Sequence, residues 1–172
     1  MAKRGVCWGV WVMCLIVFLT GCGQMGEGRE NMPEIAAKFT CHVEIETDTV
    51  SLGGTLEVKE SGMYQMTVSY PETVSQMSVS FNGEGFDCNY RGISRNFGAE
   101  LLKESCWAFL FDALTASRGK DALELREAGE EQNVFLGENG HGNFQISLDK
   151  KGYIWEIIYL DQNVHIRFSD YQ

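Results

Sequence analysis

From Phe39 onward the apolar residues recur at every second position, and this period restricts the chain to strands with one buried face. Cys41, Val43 and Ile45 alternate with His42, Glu44 and Glu46. The pair Gly53-Gly54 is expected to turn the chain, after which Leu56 and Val58 alternate with Thr55, Glu57 and Lys59. Tyr64, Met66, Val68 and Tyr70 form a third segment that Pro71 closes, since proline cannot donate to a ladder. Met77, Val79 and Phe81 make a fourth, and Phe86, Cys88 and Tyr90 a fifth beyond Asn82-Gly83-Glu84-Gly85. Such a series describes an antiparallel meander with one face buried.

The period changes once. Leu102, Cys106, Phe109, Leu110, Ala113 and Leu114 share a face at helical spacing, widened by Trp107 and Phe111, which predicts one helix over 99–114. Residues 121–127 fit a strand by Leu123 and Leu125 and a helix by composition. Four further strands are predicted over 133–136, 143–148, 152–160 and 164–168. The run Tyr153 to Leu160 is apolar on both phases, so it is expected to be central and covered on both sides. Residues 33–38 have room for one helical turn or two.

The first 38 residues read differently. Lys3 and Arg4 precede an apolar stretch from Gly5 to Leu19, which ends in Leu19-Thr20-Gly21-Cys22. This order matches an export signal cut before a cysteine that carries lipid. The apolar stretch falls short of the roughly 20 residues a spanning helix needs. The expected organisation is a signal over 1–21, a glycine-rich tether over 22–32 and one domain over 33–172. Acyl chains on Cys22 would hold the domain at the outer face of the cell membrane, at roughly 0.8 kcal/mol per buried methylene.

Charge and cysteine content narrow the function classes. Removing Lys3 and Arg4 from the 14 basic residues leaves 12 against 24 acidic ones, a net charge of −12. A surface of that sign repels nucleic acid. With Cys7 and Cys14 in the signal and Cys22 lipidated, Cys41, Cys88 and Cys106 remain. Cys41 and Cys88 share the apolar phase, so a disulfide is open to them if their strands adjoin; otherwise they are buried free thiols.

No arrangement of residues points to catalysis, metal or cofactor. Ser117-Arg118-Gly119-Lys120 fits S-x-x-K but lacks the S-D-N and K-T-G partners of that chemistry. Gly21, Gly23 and Gly26 fit G-x-G-x-x-G without a strand before or a helix after. His42, His141 and His165 have no ligand spacing and read as surface residues. Neither Glu44/Glu46/Asp48 nor Glu127/Glu130/Glu131 has the loop of a calcium site. The expectation is a protein without enzymatic activity.

What remains is the aromatic and methionine content of adjacent strands. Tyr64, Met66, Val68, Met77, Val79, Phe81 and Phe86 occupy one phase. They either pack a solid core or line an apolar cavity with Trp107 and Phe111 as lid groups, where methionine suits variable apolar partners.

The lipidation signal, the meander and the carboxy-terminal strands together resemble the LolA/LolB-like lipoprotein-carrier superfamily, and within it the lipoproteins of Gram-positive spore-formers. Residues 39–45, 62–68, 71–72, 85–86 and 166–171 carry the resemblance, which covers Phe39 to Tyr171. It implies a mostly β (α+β) fold: a curved antiparallel half-barrel sheet with a helix packed in its concave face. It also implies binding of an acyl chain or an envelope protein there. Carriers of this kind have about three helices, whereas one is predicted here, and a lipidated Cys22 fits a fixed receiver better than a shuttle. The alternative function is a non-catalytic adaptor that activates a cell-envelope enzyme, such as a peptidoglycan hydrolase, through an exposed strand edge.

Overall fold

A computed structural model describes residues 35–60, 62–118 and 123–172. The export signal, Cys22 and the tether lie outside the described residues. The compact unit spans Pro33–Gln172, and its described entry segment, Ile35 to Lys38, is not helical.

Alternation becomes strand throughout this unit. The amino-terminal meander runs β1 (Phe39–Glu46), β2 (Ser51–Glu60), β3 (Met63–Tyr70), β4 (Ser78–Phe81), β5 (Gly85–Tyr90) and β6 (Ile93–Gly98). A helix, α1 (Cys106–Ala116), follows. The carboxy-terminal meander then runs β7 (Leu123–Ala128), β8 (Gln132–Asn139), β9 (Gly142–Asp149), β10 (Ile154–Tyr159) and β11 (Val164–Ser169). The two meanders join where the last strand pairs with the first, Val43 opposite Phe168 and Ile45 opposite Ile166. The result is one antiparallel sheet of eleven strands in the order β6-β5-β4-β3-β2-β1-β11-β10-β9-β8-β7. The sheet does not close, and β6 and β7 are its edges.

Its curvature follows from what α1 touches. Phe111 packs on Phe86 of β5, and Phe109 packs on Tyr159 of β10. In a flat sheet those strands, six spacings of ~4.8 Å apart, would stand roughly 29 Å from each other. A helix is only ~10–12 Å across, so the sheet curls round it as a half-barrel. One phase of each central strand therefore meets the helix. Cys41, Val43, Leu56, Met66, Val79, Phe86, Phe135, Phe144, Ile146, Ile157 and Ile166 are all buried there.

Four local expectations are corrected. Gly53 and Gly54 lie inside β2 and do not turn the chain. The turn sits earlier, where the Thr47 hydroxyl accepts from the amides of Thr49 and Val50 at 3.2 and 2.9 Å. Gly54 is glycine because β3 passes close: a Cβ there would stand 2.2 Å from the Thr67 carbonyl oxygen.

The helix begins at Cys106, not at Ala99. Residues Ala99–Leu101 form a short 3-10 turn, and Ser105 caps α1 by accepting from the Ala108 amide at 3.4 Å. The described part of the ambiguous stretch, from Leu123, is strand β7.

The expected two-sided cover of β10 is also absent. Its register slips between Ile154 and Glu156, so one residue bulges and Ile154, Ile157 and Tyr159 all face the core. Trp155 is left 56% exposed.

The Cys41–Cys88 disulfide is excluded. Those residues sit on β1 and β5, with three strands between them. Measured along the sheet, four spacings of ~4.8 Å make roughly 19 Å, against a ~7 Å Cα limit for a bridge, and no bridge joins them. Cys41, Cys88 and Cys106 are free thiols.

Candidate functional site

The concave face of β3, β4 and β5 gathers the residues singled out from the sequence. Tyr64, Met66 and Val68 follow one another on β3, paired across to Phe81 and Val79 of β4, and Phe81 pairs onward to Phe86 of β5. Strand pairing therefore builds a continuous apolar surface whose members are buried, with Met77 half-buried at its margin.

Helix α1 lies on that surface. The Phe111 ring sits 5.6 Å from Tyr64, 6.0 Å from Phe81 and 6.0 Å from Phe86, stacked against all three. Trp107, one turn earlier, is 8% exposed. The Thr115 hydroxyl meets the Tyr64 hydroxyl at 3.3 Å. Arg118, just past the helix, lays its guanidinium 5.8 Å from the Tyr64 ring centre. The same group donates to the carbonyls of Ala36 and Ala37, tying the entry segment of the domain to this end of the concave face. Ser117, the serine of the S-x-x-K match, is spent on the helix terminus: its hydroxyl donates to the Ala113 carbonyl at 2.6 Å.

Another side of the helix, through Phe109 and Asp112, holds a polar cluster that the sequence did not reveal. His141, in the β8–β9 turn, is not a surface residue. Its side chain is 5% exposed, sits 2.8 Å from the Asp112 carboxylate and packs 4.4 Å from the Phe109 ring. The Gln162 amide donates to the His141 carbonyl at 2.6 Å. Beside it the Tyr159 hydroxyl donates to the Phe109 carbonyl at 3.1 Å and accepts from Asn139 at 2.6 Å. Burial pushes the Tyr159 hydroxyl well above the usual tyrosine range. No periodicity signals these contacts, because Asp112, Asn139 and His141 meet only when the helix lies across the sheet.

The two sides of the helix do different things. The aromatic side offers shape and apolar contact. The polar side fixes the helix through buried hydrogen bonds. Among the described residues no group of three or more His, Cys, Asp and Glu is placed to hold a metal ion.

A groove of about 550 Å³ lies on the opposite, convex side, lined by Glu124, Arg126, Leu136, Glu138, Gln145 and Leu160 among others. It occupies the polar phase of β7–β9, which is why the apolar pattern did not mark it.

No family model matches the chain, and no curated protein matches its sequence. Solved structures do match. An uncharacterized conserved protein of Thermus thermophilus aligns over 81% of this chain and 80% of its own, with 6% identity and a TM-score of 0.52. A LolA superfamily protein of Nitrosomonas europaea aligns over 83% and 87%, with 7% identity and a TM-score of 0.42. MucB, solved in complex with a periplasmic MucA segment, aligns over 78% of this chain and 49% of its own, with 12% identity and a TM-score of 0.41. The likeness to the Thermus protein is one of fold.

Proposed function

We propose that this protein is a lipid-anchored, extracytoplasmic binding protein without enzymatic activity, LolA/LolB-like in fold, whose concave face holds an apolar ligand or a segment of an envelope protein. The observation that carries the reading is the unbroken aromatic and methionine surface of β3–β5, roofed by a single helix. A half-barrel that needed only stability could fill its interior with aliphatic residues. Here Tyr64, Phe81, Phe86 and Phe111 pack on one another, an apolar surface that an acyl chain or an apolar peptide would meet once α1 moves aside. A ligand enters where α1 shifts, replacing Phe111 contacts with its own. Burial of ten methylenes would contribute roughly 8 kcal/mol before the cost of moving the helix.

The anchor is read from the sequence. Lys3, Arg4, the apolar stretch and Leu19-Thr20-Gly21-Cys22 support export and acylation. Anchoring favours a fixed receiver over a shuttle, in keeping with the resemblance to spore-former lipoproteins.

Native mass spectrometry of the full chain after gentle extraction tests the ligand. The expected result is a copurifying acyl-chain mass that an apolar fluorescent probe displaces. A bare protein mass with no probe uptake refutes it. Cys22→Ala tests the anchor: the variant is expected in the soluble fraction, and retention in the membrane contradicts acylation at that residue.

A further inference from the structure

The sheet has two free edges, and they are not alike. Natural sheets blunt their edges with charges and bulges, because unpaired backbone groups recruit other strands. Edge β7 is blunted on both counts. Its register slips between Leu125 and Glu127, and it carries Glu124, Arg126 and Glu127, with Glu130 and Glu131 just beyond. Edge β6 carries a single charge, Arg95, and no bulge. Its pairing with β5 runs unbroken from Gly85 opposite Gly98 to Tyr90 opposite Ile93. All of its residues are exposed apart from the half-buried Phe97, and Ile93 is 66% exposed. Its convex side is pinned, since Asn89 donates to Ser94 and Asn96 donates to Asp87, each at 2.9 Å. Among the described residues nothing pairs with its outer backbone.

Charge says what fits there. Ile93, Arg95 and Phe97 pair with Tyr90, Cys88 and Phe86, so all three sit on the concave side as an apolar–basic–apolar row. Arg91, at the turn, stacks on Tyr90 at 5.0 Å. Among the described residues no carboxylate lies within ion-pair distance of Arg91 or Arg95, in a chain of net charge −10. Arg95 set between two apolar residues on an open edge, with Arg91 beside it, is complementary to an acidic partner. The other edge of this chain does not match, because its acidic residues flank a bulge.

We propose that β6 is a strand-addition site for an extended acidic segment of another protein. The segment would pair with the outer backbone of β6 and present an apolar–acidic–apolar row to Ile93, Arg95 and Phe97. The site stands on the edge of the sheet and does not depend on whether the concave face holds a ligand.

The test uses the full chain and a fluorescein-labelled peptide, Ala-Val-Thr-Glu-Thr-Val-Ala, followed by anisotropy. Binding is expected to weaken at least tenfold when the peptide glutamate becomes lysine, and to weaken likewise with Arg95→Glu. Combining Arg95→Glu with the lysine peptide is expected to restore binding, which also shows that the variant is folded. Backbone N-methylation of the peptide at alternate residues is expected to abolish binding in one phase and spare it in the other, as a ladder requires. Several results overturn the proposal: no binding to the wild-type chain, equal effects of both methylation phases, or no rescue by the charge swap. So do self-association through β6, seen by sedimentation and lost in Arg95→Glu, and binding of phosphatidylglycerol vesicles in place of the peptide.

Discussion

Replacing Phe111 with alanine separates a helix that is part of the core from one that merely covers an opening. Phe111 is 0% exposed and has aromatic partners on three strands, at 5.6, 6.0 and 6.0 Å. A buried phenylalanine truncated to alanine costs about 3–5 kcal/mol when its surroundings cannot collapse. Here they cannot, because Tyr64, Phe81 and Phe86 are fixed by strand register. With a urea dependence of about 2 kcal/mol per molar, the midpoint should fall by about 1.5–2.5 M at unchanged slope. Intrinsic tryptophan fluorescence follows the transition. Phe111→Leu, which keeps most of the volume, should cost under about 1.5 kcal/mol. A loss below about 1 kcal/mol for Phe111→Ala would mean that the ring faces a void, and the packing described here would be refuted.

Three further outcomes follow from buried contacts. Gly54→Ala would drive its Cβ to 2.2 Å from the Thr67 carbonyl oxygen, where backbone must yield, and calorimetry should show a loss of about 3 kcal/mol or no folded protein. Asp112→Ala strips the partner from a histidine side chain that is 5% exposed; urea titration should show a loss of about 1–3 kcal/mol, with Asp112→Asn recovering most of it. Burial pushes the Cys41 thiol up from 9.0 to about 12, against the hydrogen bond with Tyr171. The folded state therefore keeps a proton that the unfolded state releases. That contribution is complete below pH 9 and is lost between pH 9 and 12, so Tm should fall across this window, and less steeply in Cys41→Ala.

How much of this was legible depended on whether a residue's environment is local. The buried phases of β1, β3 and β4 alternate cleanly and were read residue by residue, whereas β8, β9 and β11 were placed as strands without a phase. Strand β6 stayed invisible because an exposed edge has no apolar phase to show. Gly53-Gly54 misled because a glycine pair reads as a turn, while here the neighbouring strand demands the missing side chain. Residues 99–105 carry helical spacing, yet Ser105 caps the helix after them. Trp155 broke the two-sided reading of β10 through a bulge, which no alternation rule anticipates. Of the site, the alternation placed the aromatic residues on one face, and the helix lies on that face. The His141–Asp112 contact was not legible, since residues 29 positions apart meet only through the path of the helix over the sheet.

Photocrosslinking addresses the concave face most directly. A diazirine-bearing fatty acid, incubated with the full chain and activated, is mapped by peptide mass spectrometry. Adducts are expected on 64–86 and on 107–111, suppressed by excess unlabelled fatty acid. Adducts confined to the convex groove around Leu136 and Leu160, or none that competitor suppresses, would contradict binding in the concave face.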